Sequence, residues 1–272
     1  MVNSEHKNDY KSNSISNLIL ALDVGNTSIS LGGFENDKIV FKSVLSTRID
    51  RTEDEYAVAI LNLLKLHDQN IKDVSGVIVS SVVPPLNSVL KKALLFLFGT
   101  EPLFVGPGIK SGIGIQCDTP SSVGADLIAA SVAAHYIYGS PALIIDIGTA
   151  TKMTLVSKNG AFVGTSIIPG VLMGLNALSE TTAQLPKISL EAPKTVIAKN
   201  TTDCMRSGVV FGNASMIDGM IDRINEEFGE ELSVYATGGL ASAIIPYCKK
   251  KIHLDESLVL KGLNILYHKN KA

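Results

Sequence analysis

Asp23-Val24-Gly25-Asn26-Thr27 and Asp146-Ile147-Gly148-Thr149-Ala150-Thr151 are two versions of one pattern, with their aspartates 123 positions apart (146 less 23). Each closes a short apolar run, Leu18–Leu22 in the first case and Ala142–Ile145 in the second. Runs rich in Ile and Leu that stop at Asp-x-Gly read as buried strands feeding a tight turn. The glycine lets backbone N–H groups approach an anion, and the Thr and Asn side chains add neutral donors. The aspartate suits holding a cation or orienting a water. Two such loops predict a nucleoside triphosphate and its counter-ions gripped between two similar lobes.

The elements around the loops repeat in the same order. After the first loop come strands at Ile29–Phe34 and Lys38–Val44, joined by a turn at Glu35-Asn36-Asp37. After the second come strands at Lys152–Ser157 and Ala161–Ile168, joined by Lys158-Asn159-Gly160. A strand at Ser75–Val83 in the first half answers one at Leu232–Leu240 in the second, which ends in Thr237-Gly238-Gly239, small enough for a base or ribose to approach. Agreement in element order points to an internal duplication, with halves 18–139 and 140–268.

Helices fall between the strands. Thr52-Glu-Asp-Glu55 is a capping-box pattern, and the helix after it places Ala57, Ile60, Leu61 and Leu64 on one face. A helix is expected over Ser88–Phe98, a short strand over Pro102–Val105, and an alanine-rich helix after Gly124 with Asp126 near its start. Gly106–Gly114 lacks dinucleotide-binding spacing and reads first as a structural loop, and no Walker-type P-loop occurs. The longest helix is expected over Thr202–Phe228, with Met205, Val209, Met216, Met220, Ile224 and Phe228 at core or interface spacing. Gly208, Gly212 and Gly219 weaken it by about 1 kcal/mol each. Close approach of a second copy of the same helix, in a homodimer, would compensate.

Composition narrows the function. At 46% hydrophobic and 18% charged, 272 residues build a large core. A net charge of −2 supplies no basic field for nucleic acid or an anionic membrane. Cys117, Cys204 and Cys248 stand far apart and fit reduced thiols in a cytoplasmic protein rather than a disulfide or zinc framework. Residues 1–17 are polar with no hydrophobic signal core and read as a disordered tail.

The chain resembles the type III pantothenate kinases. The likeness runs from 18 to 268 through the two Asp-x-Gly loops, Thr52-Glu-Asp-Glu-Tyr56, Ser80-Ser-Val-Val-Pro-Pro85, Val105-Gly-Pro-Gly-Ile-Lys110 and Gly124-Ala-Asp126. It continues through Pro169-Gly170, Leu185-Pro186, Lys199-Asn-Thr201, Ala236-Thr-Gly-Gly-Leu240 and Leu260-Lys-Gly-Leu263. What the resemblance implies is an α/β, duplicated ribonuclease-H-like fold of the actin/hexokinase type, two lobes with a cleft between. It implies ATP with Mg2+ cradled by Asp23, Val24, Gly25, Asn26, Thr27, Ser28, Ile29 and Ser30, with Thr149 on the phosphates. Asp126 resembles the general base acting on the primary hydroxyl of pantothenate, and Asp146 the ligand of a monovalent cation, potassium or ammonium. Cys117, Gly124, Ala125, Asp126, Leu127 and Thr201 fall at substrate-contact positions, in a pocket that the family builds at its dimer interface.

Four residues depart from the family pattern. Leu127 follows Asp126 where an arginine is usual, with Lys110 as a candidate replacement cation; Cys117 replaces a tyrosine, Lys152 a threonine and Thr165 a glycine. Lys152 has two readings: an exposed strand lysine, or an ammonium near the phosphates doing the charge work of potassium. Three functions stand at this point: the pantothenate kinase making 4′-phosphopantothenate for coenzyme A, a non-catalytic regulatory paralogue, and a kinase for another small hydroxy acid. Retention of Asp126 and Asp146 favours a catalyst.

Overall fold

A computed structural model describes residues 17–271; of the tail expected at 1–17, all but Asn17 lies outside them. The first sheet takes β1 (Leu18–Val24), β2 (Ser28–Glu35), β3 (Lys38–Ser46), β4 (Val74–Ser81) and β5 (Leu103–Phe104), with helices α1 (Glu53–Leu66), α2 (Pro84–Phe98) and α3 (Ala125–Ala133) along the same stretch of chain. The second takes β6 (Ala142–Ile147), β7 (Ala150–Val156), β8 (Phe162–Pro169), β9 (Ser233–Thr237) and β10 (His253–Leu254). With them come α4 (Val171–Thr181), α5 (Thr201–Phe228), α6 (Ala241–Ile244) and α7 (Leu258–Lys271). Strand order is β3-β2-β1-β4-β5 in one sheet and β8-β7-β6-β9-β10 in the other. In both, the first three strands pair antiparallel and the last two join in parallel, so the duplication extends to every ladder.

Period-two alternation decides what each sheet face meets. Leu18, Leu20, Leu22 and Val24 turn outward to a core closed by Tyr56, Ile60 and Leu64 of α1 and Leu86, Leu90 and Leu94 of α2. Ile19 and Ala21 turn the other way, onto Ile128, Ala129 and Val132 of α3 and Leu260, Leu263 and Leu266 of α7. In the second sheet Leu143, Ile145 and Ile147 face α4, α5 and α6, whereas Ala142 and Ile144 face Ala130 and Ala133 of α3. Helices α3 and α7 therefore fill the space between the two sheets. Asp23 and Asp146, next in the inward series of β1 and β6, are directed to that space.

Local sequence accounts for most boundaries. Thr52 Oγ1 accepts from the Glu55 N–H at 3.3 Å while Glu55 Oε2 accepts from the Thr52 N–H at 2.8 Å, completing the expected capping box. Asn36 supplies the left-handed residue (φ 54°) of the β2–β3 turn. Helix α2 starts at Pro84, earlier than the expected Ser88, because proline needs no N–H in a first helical turn. The outcome for α5 is mixed: Met205 and Val209 are buried, and Met216, Met220, Ile224 and Phe228 pack at the edge of the same core. Helices α4, α6 and α7 were not anticipated. In α7 the buried Leu260, Leu263, Leu266 and Tyr267 do recur at helical spacing.

The α3–α7 contact is close. A Cβ on Gly262 would stand 1.8 Å from the carbonyl oxygen of Ala129, on α3. Backbone cannot yield as a flexible side chain does, so Gly262→Ala should lower stability by about 1–3 kcal/mol. Chemical denaturation would read it as a lower midpoint with an unchanged slope.

Candidate active site

Each loop carboxylate is placed by its ladder. Asp23 lies between Ser30 on β2 and Ser80 on β4. Asp146 occupies the equivalent position in the second sheet, between Lys152 on β7 and Thr237 on β9. Directly opposed residues share a face with their Cβ atoms about 5 Å apart. Asp146 and Lys152 are therefore brought together by register alone.

The loops themselves are tied down. Gly25 N–H donates to Ser28 O at 3.0 Å, and Thr47 Oγ1 donates to Gly25 O at 2.6 Å. In the second loop Gly148 N–H donates to Ala150 O at 3.1 Å, and Leu240 N–H to Ile147 O at 3.1 Å. The two loops meet across the cleft, where Thr27 Oγ1 and Thr149 Oγ1 share a hydrogen bond of 2.9 Å. Gly238 and Gly239 serve different ends. Gly238, at φ 95°, passes so near Asp146 that a Cβ would lie 2.5 Å from Oδ1, while the space beside Gly239 is open.

Asp126 sits in the first turn of α3, whose N-cap is Gly124. Lys152 Nζ lies 2.5 Å from Asp126 Oδ2 and 2.7 Å from Asp146 Oδ2. The three side chains are 19%, 12% and 17% exposed respectively, too buried for solvent to screen the pairs as it does at a surface. The other Asp126 oxygen turns toward Gly124, where a Cβ would come within 2.4 Å of Oδ1. Glycine at 124 thus leaves room for Oδ1 on that side.

Charge crowding shapes the ionisation. Burial, then the nearby Asp126 and Asp146 carboxylates, push Asp23 up to about 7. Burial lifts Asp146 as well, and Lys152 offsets part of that lift. For Lys152, burial opposes the charge, but Asp146 and Asp126 outweigh it and hold the ammonium above the ordinary lysine range.

These groups line a cleft of about 1040 Å3. Of the residues expected at the site, Asp23, Gly25, Asn26, Thr27, Ser28, Ser30, Cys117, Gly124, Asp126, Leu127, Asp146 and Thr149 line it. Val24 and Ile29 do not: their side chains are buried in the first core, so only their backbone groups are available to a ligand. Ala125 and Thr201 are also absent from the lining, Thr201 being exposed at the start of α5. The Gly106–Gly114 loop lies outside the lining, and Lys110 is held to α7 by backbone hydrogen bonds with Asn270 of 3.0 and 3.1 Å. Lys42 and its exposed ion-pair partner Glu256, 3.9 Å away, do line the cleft and were not expected. Its signal lay in the β2–β3 pairing, which sets Lys42 opposite Gly32.

A magnesium ion is normally held by one or two carboxylates together with substrate phosphates. Asp23 fits that role, since a nearby cation would relieve its crowding. Among the described residues no three His, Cys, Asp or Glu side chains cluster to hold a metal by themselves. At Asp146, Lys152 Nζ occupies a position in contact with Oδ2, 2.7 Å away, that a monovalent ion would otherwise use. No helix among the described residues is long and apolar enough to cross a membrane.

Comparison with known proteins agrees with this geometry. The profile of the type III pantothenate kinases matches residues 19–223. A type III pantothenate kinase from Geobacter sulfurreducens is 40% identical over 254 residues, covering 93% of this chain and 100% of the relative. Among solved structures, a candidate Baf family transcriptional activator from Campylobacter jejuni superposes with a TM-score of 0.59 at 17% identity, over 93% of this chain and 98% of that one. The ROK hexokinase from Thermus thermophilus gives a TM-score of 0.50 at 12% identity, over 92% and 98%. At such identities these structures speak for the fold alone, which is the two-lobed actin/hexokinase type. By its profile match and its full-length relative, the chain belongs to the type III pantothenate kinase family.

Proposed function

We propose that this kinase transfers the γ-phosphoryl group of ATP to the primary hydroxyl of pantothenate, giving 4′-phosphopantothenate, with Asp126 as the general base. The observation that carries the assignment is the place of Asp126. Its carboxylate stands at the start of a buried helix, in the same cleft as both Asp-x-Gly loops, with Oδ2 fixed on Lys152 and Oδ1 beside Gly124. A carboxylate held in one orientation accepts the hydroxyl proton while the alcohol oxygen moves in line on phosphorus. Phosphoryl transfer depends on positioning and on stabilising charge, and the chain supplies both.

The nucleotide occupies the cleft between the loops, its phosphates at Thr27 and Thr149 and its ribose and base toward Gly239. Asp23 takes the divalent ion that accompanies ATP and supplies charge neutralisation there. Carboxylates in all three positions favour a catalyst over a regulatory paralogue.

The halves 18–139 and 140–268 are taken as the two lobes, with α3 and α7 shared between them. A homodimer completes the site. Cys204, Gly208, Gly212 and Ser215 form an exposed small-residue face of α5, flanked by Val196 and Ile197, 63% and 84% exposed. Nothing lies within 4 Å of a Cβ built on Gly208, Gly212 or Gly219, so this chain alone gives those glycines no packing reason. A second copy on that face would bring its own Thr201 region near the substrate.

Asp126→Asn should cut kcat by about 10²–10⁴-fold with ATP affinity retained, read as ADP released with pantothenate. An undiminished rate removes Asp126 from the chemistry.

Asp23 sets a pH dependence. Between an ordinary carboxylate value and about 7 the folded chain holds a proton that the unfolded chain has lost. Stability of the ligand-free protein should therefore fall as pH rises through that window and level off above it. Melting curves of Asp23→Asn should lack this component of the slope.

For the dimer, Gly212→Leu should raise helix propensity by about 1 kcal/mol, yet shift sedimentation toward monomer. A native protein that sediments only as monomer at working concentrations ends the dimer proposal.

A further inference from the structure

We propose that Lys152 is the site's own monovalent cation: its ammonium stands where a diffusible potassium or ammonium ion would sit beside Asp146, and it grips the ATP phosphates directly. This rests on the cleft being the ATP site, as proposed above.

The argument begins with valence. A lysine ammonium has three N–H donors and no acceptor. Asp126 Oδ2 at 2.5 Å takes one, and Asp146 Oδ2 at 2.7 Å takes a second. The third is left for a ligand, and Lys152 and Thr149 both line the cleft. A phosphate oxygen at that loop is the acceptor whose charge matches.

Register keeps the ammonium in place. Lys152 opposes Asp146 in the β6–β7 ladder, so its stem starts about 5 Å from the carboxylate it serves. A tethered cation loses far less freedom on engaging the phosphates than an ion drawn from solution. It is also permanent: Asp146 and Asp126 hold the ammonium charged against the opposing effect of burial.

The site needs such a charge. Three carboxylates converge on the place where a polyphosphate must lie, and Lys42, the other lysine in the lining, is spent on an exposed pair with Glu256. Removing Lys152 would leave Asp126 and Asp146 facing the phosphates with no counter-charge between them. An external ion could then enter the vacated volume, as it cannot in the native chain.

The test compares the native protein and Lys152→Thr in potassium chloride and in tetramethylammonium chloride of equal ionic strength. ATP affinity is read by calorimetry, ADP formation directly by chromatography, and ion occupancy by anomalous scattering after a thallium(I) soak. The native protein should bind ATP equally well in both salts and hold no thallium at Asp146. Lys152→Thr should lose about tenfold or more in ATP affinity in tetramethylammonium, recover it in potassium, and hold one thallium ion against Asp146. A native protein that needs potassium for ATP binding, or that holds thallium there, overturns the assignment. So does a Lys152→Thr protein that binds ATP as tightly as the native one in tetramethylammonium. Should that variant fail to fold, the native comparison decides alone. Failure of the pantothenate reading looks different: no ADP forms with pantothenate in either salt, while ATP binding keeps its pattern.

Discussion

Contact of Lys152 with both Asp126 and Asp146 ties the start of α3 to the β6–β7 ladder. Asp126 arrives on α3, Asp146 at the end of β6, and Lys152 on the neighbouring strand β7. Removing one partner from a buried pair typically costs about 3–5 kcal/mol, since the remaining charge is left unanswered. The same contact orients the proposed base and neutralises half of the acidic pair. Stability and chemistry are thus drawn from one ammonium, and neither is free to change without the other.

That contact is possible only because α3 and α7 lie between the sheets. Small residues make the fit. Ala129, Ala130 and Ala133 let α3 approach both inner faces, and Gly262 lets α7 press against Ala129. The chain crosses to achieve this: α7 follows the second sheet in sequence but packs on the first, through Ile19, Phe34 and Ile78. A shift of either sheet is then felt at the start of α3, where Asp126 sits.

Much of this was legible in the residues. The two Asp-x-Gly loops, the strand order around them and the capping box at Thr52 are local signals, and local signals survive folding. The place of α7 was not legible, because its partners are more than 100 positions away in sequence and its last turns carry polar Asn264, His268 and Lys269. Val24 and Ile29 were grouped with the nucleotide loop by adjacency, whereas alternation along β1 and β2 sends them into the core. Lys152 was ambiguous in isolation. Its meaning came from the residue opposite it, which only the β6–β7 register reveals.

The duplication makes that register informative in a second way. Asp23 and Asp146 are equivalent, but their cross-strand partners differ: Ser30 in one copy, Lys152 in the other. Asp23, opposite a serine, is raised to about 7 by burial and by the Asp126 and Asp146 carboxylates, and gains from any cation arriving with a nucleotide. Asp146, opposite a lysine, has an ammonium 2.7 Å from Oδ2 within the chain itself. In the proposed mechanism one fold position is a receptor for substrate-borne positive charge and its twin a fixed source of it. ATP phosphates placed between the two loops, as proposed, would meet an arriving cation on one side and a resident one on the other.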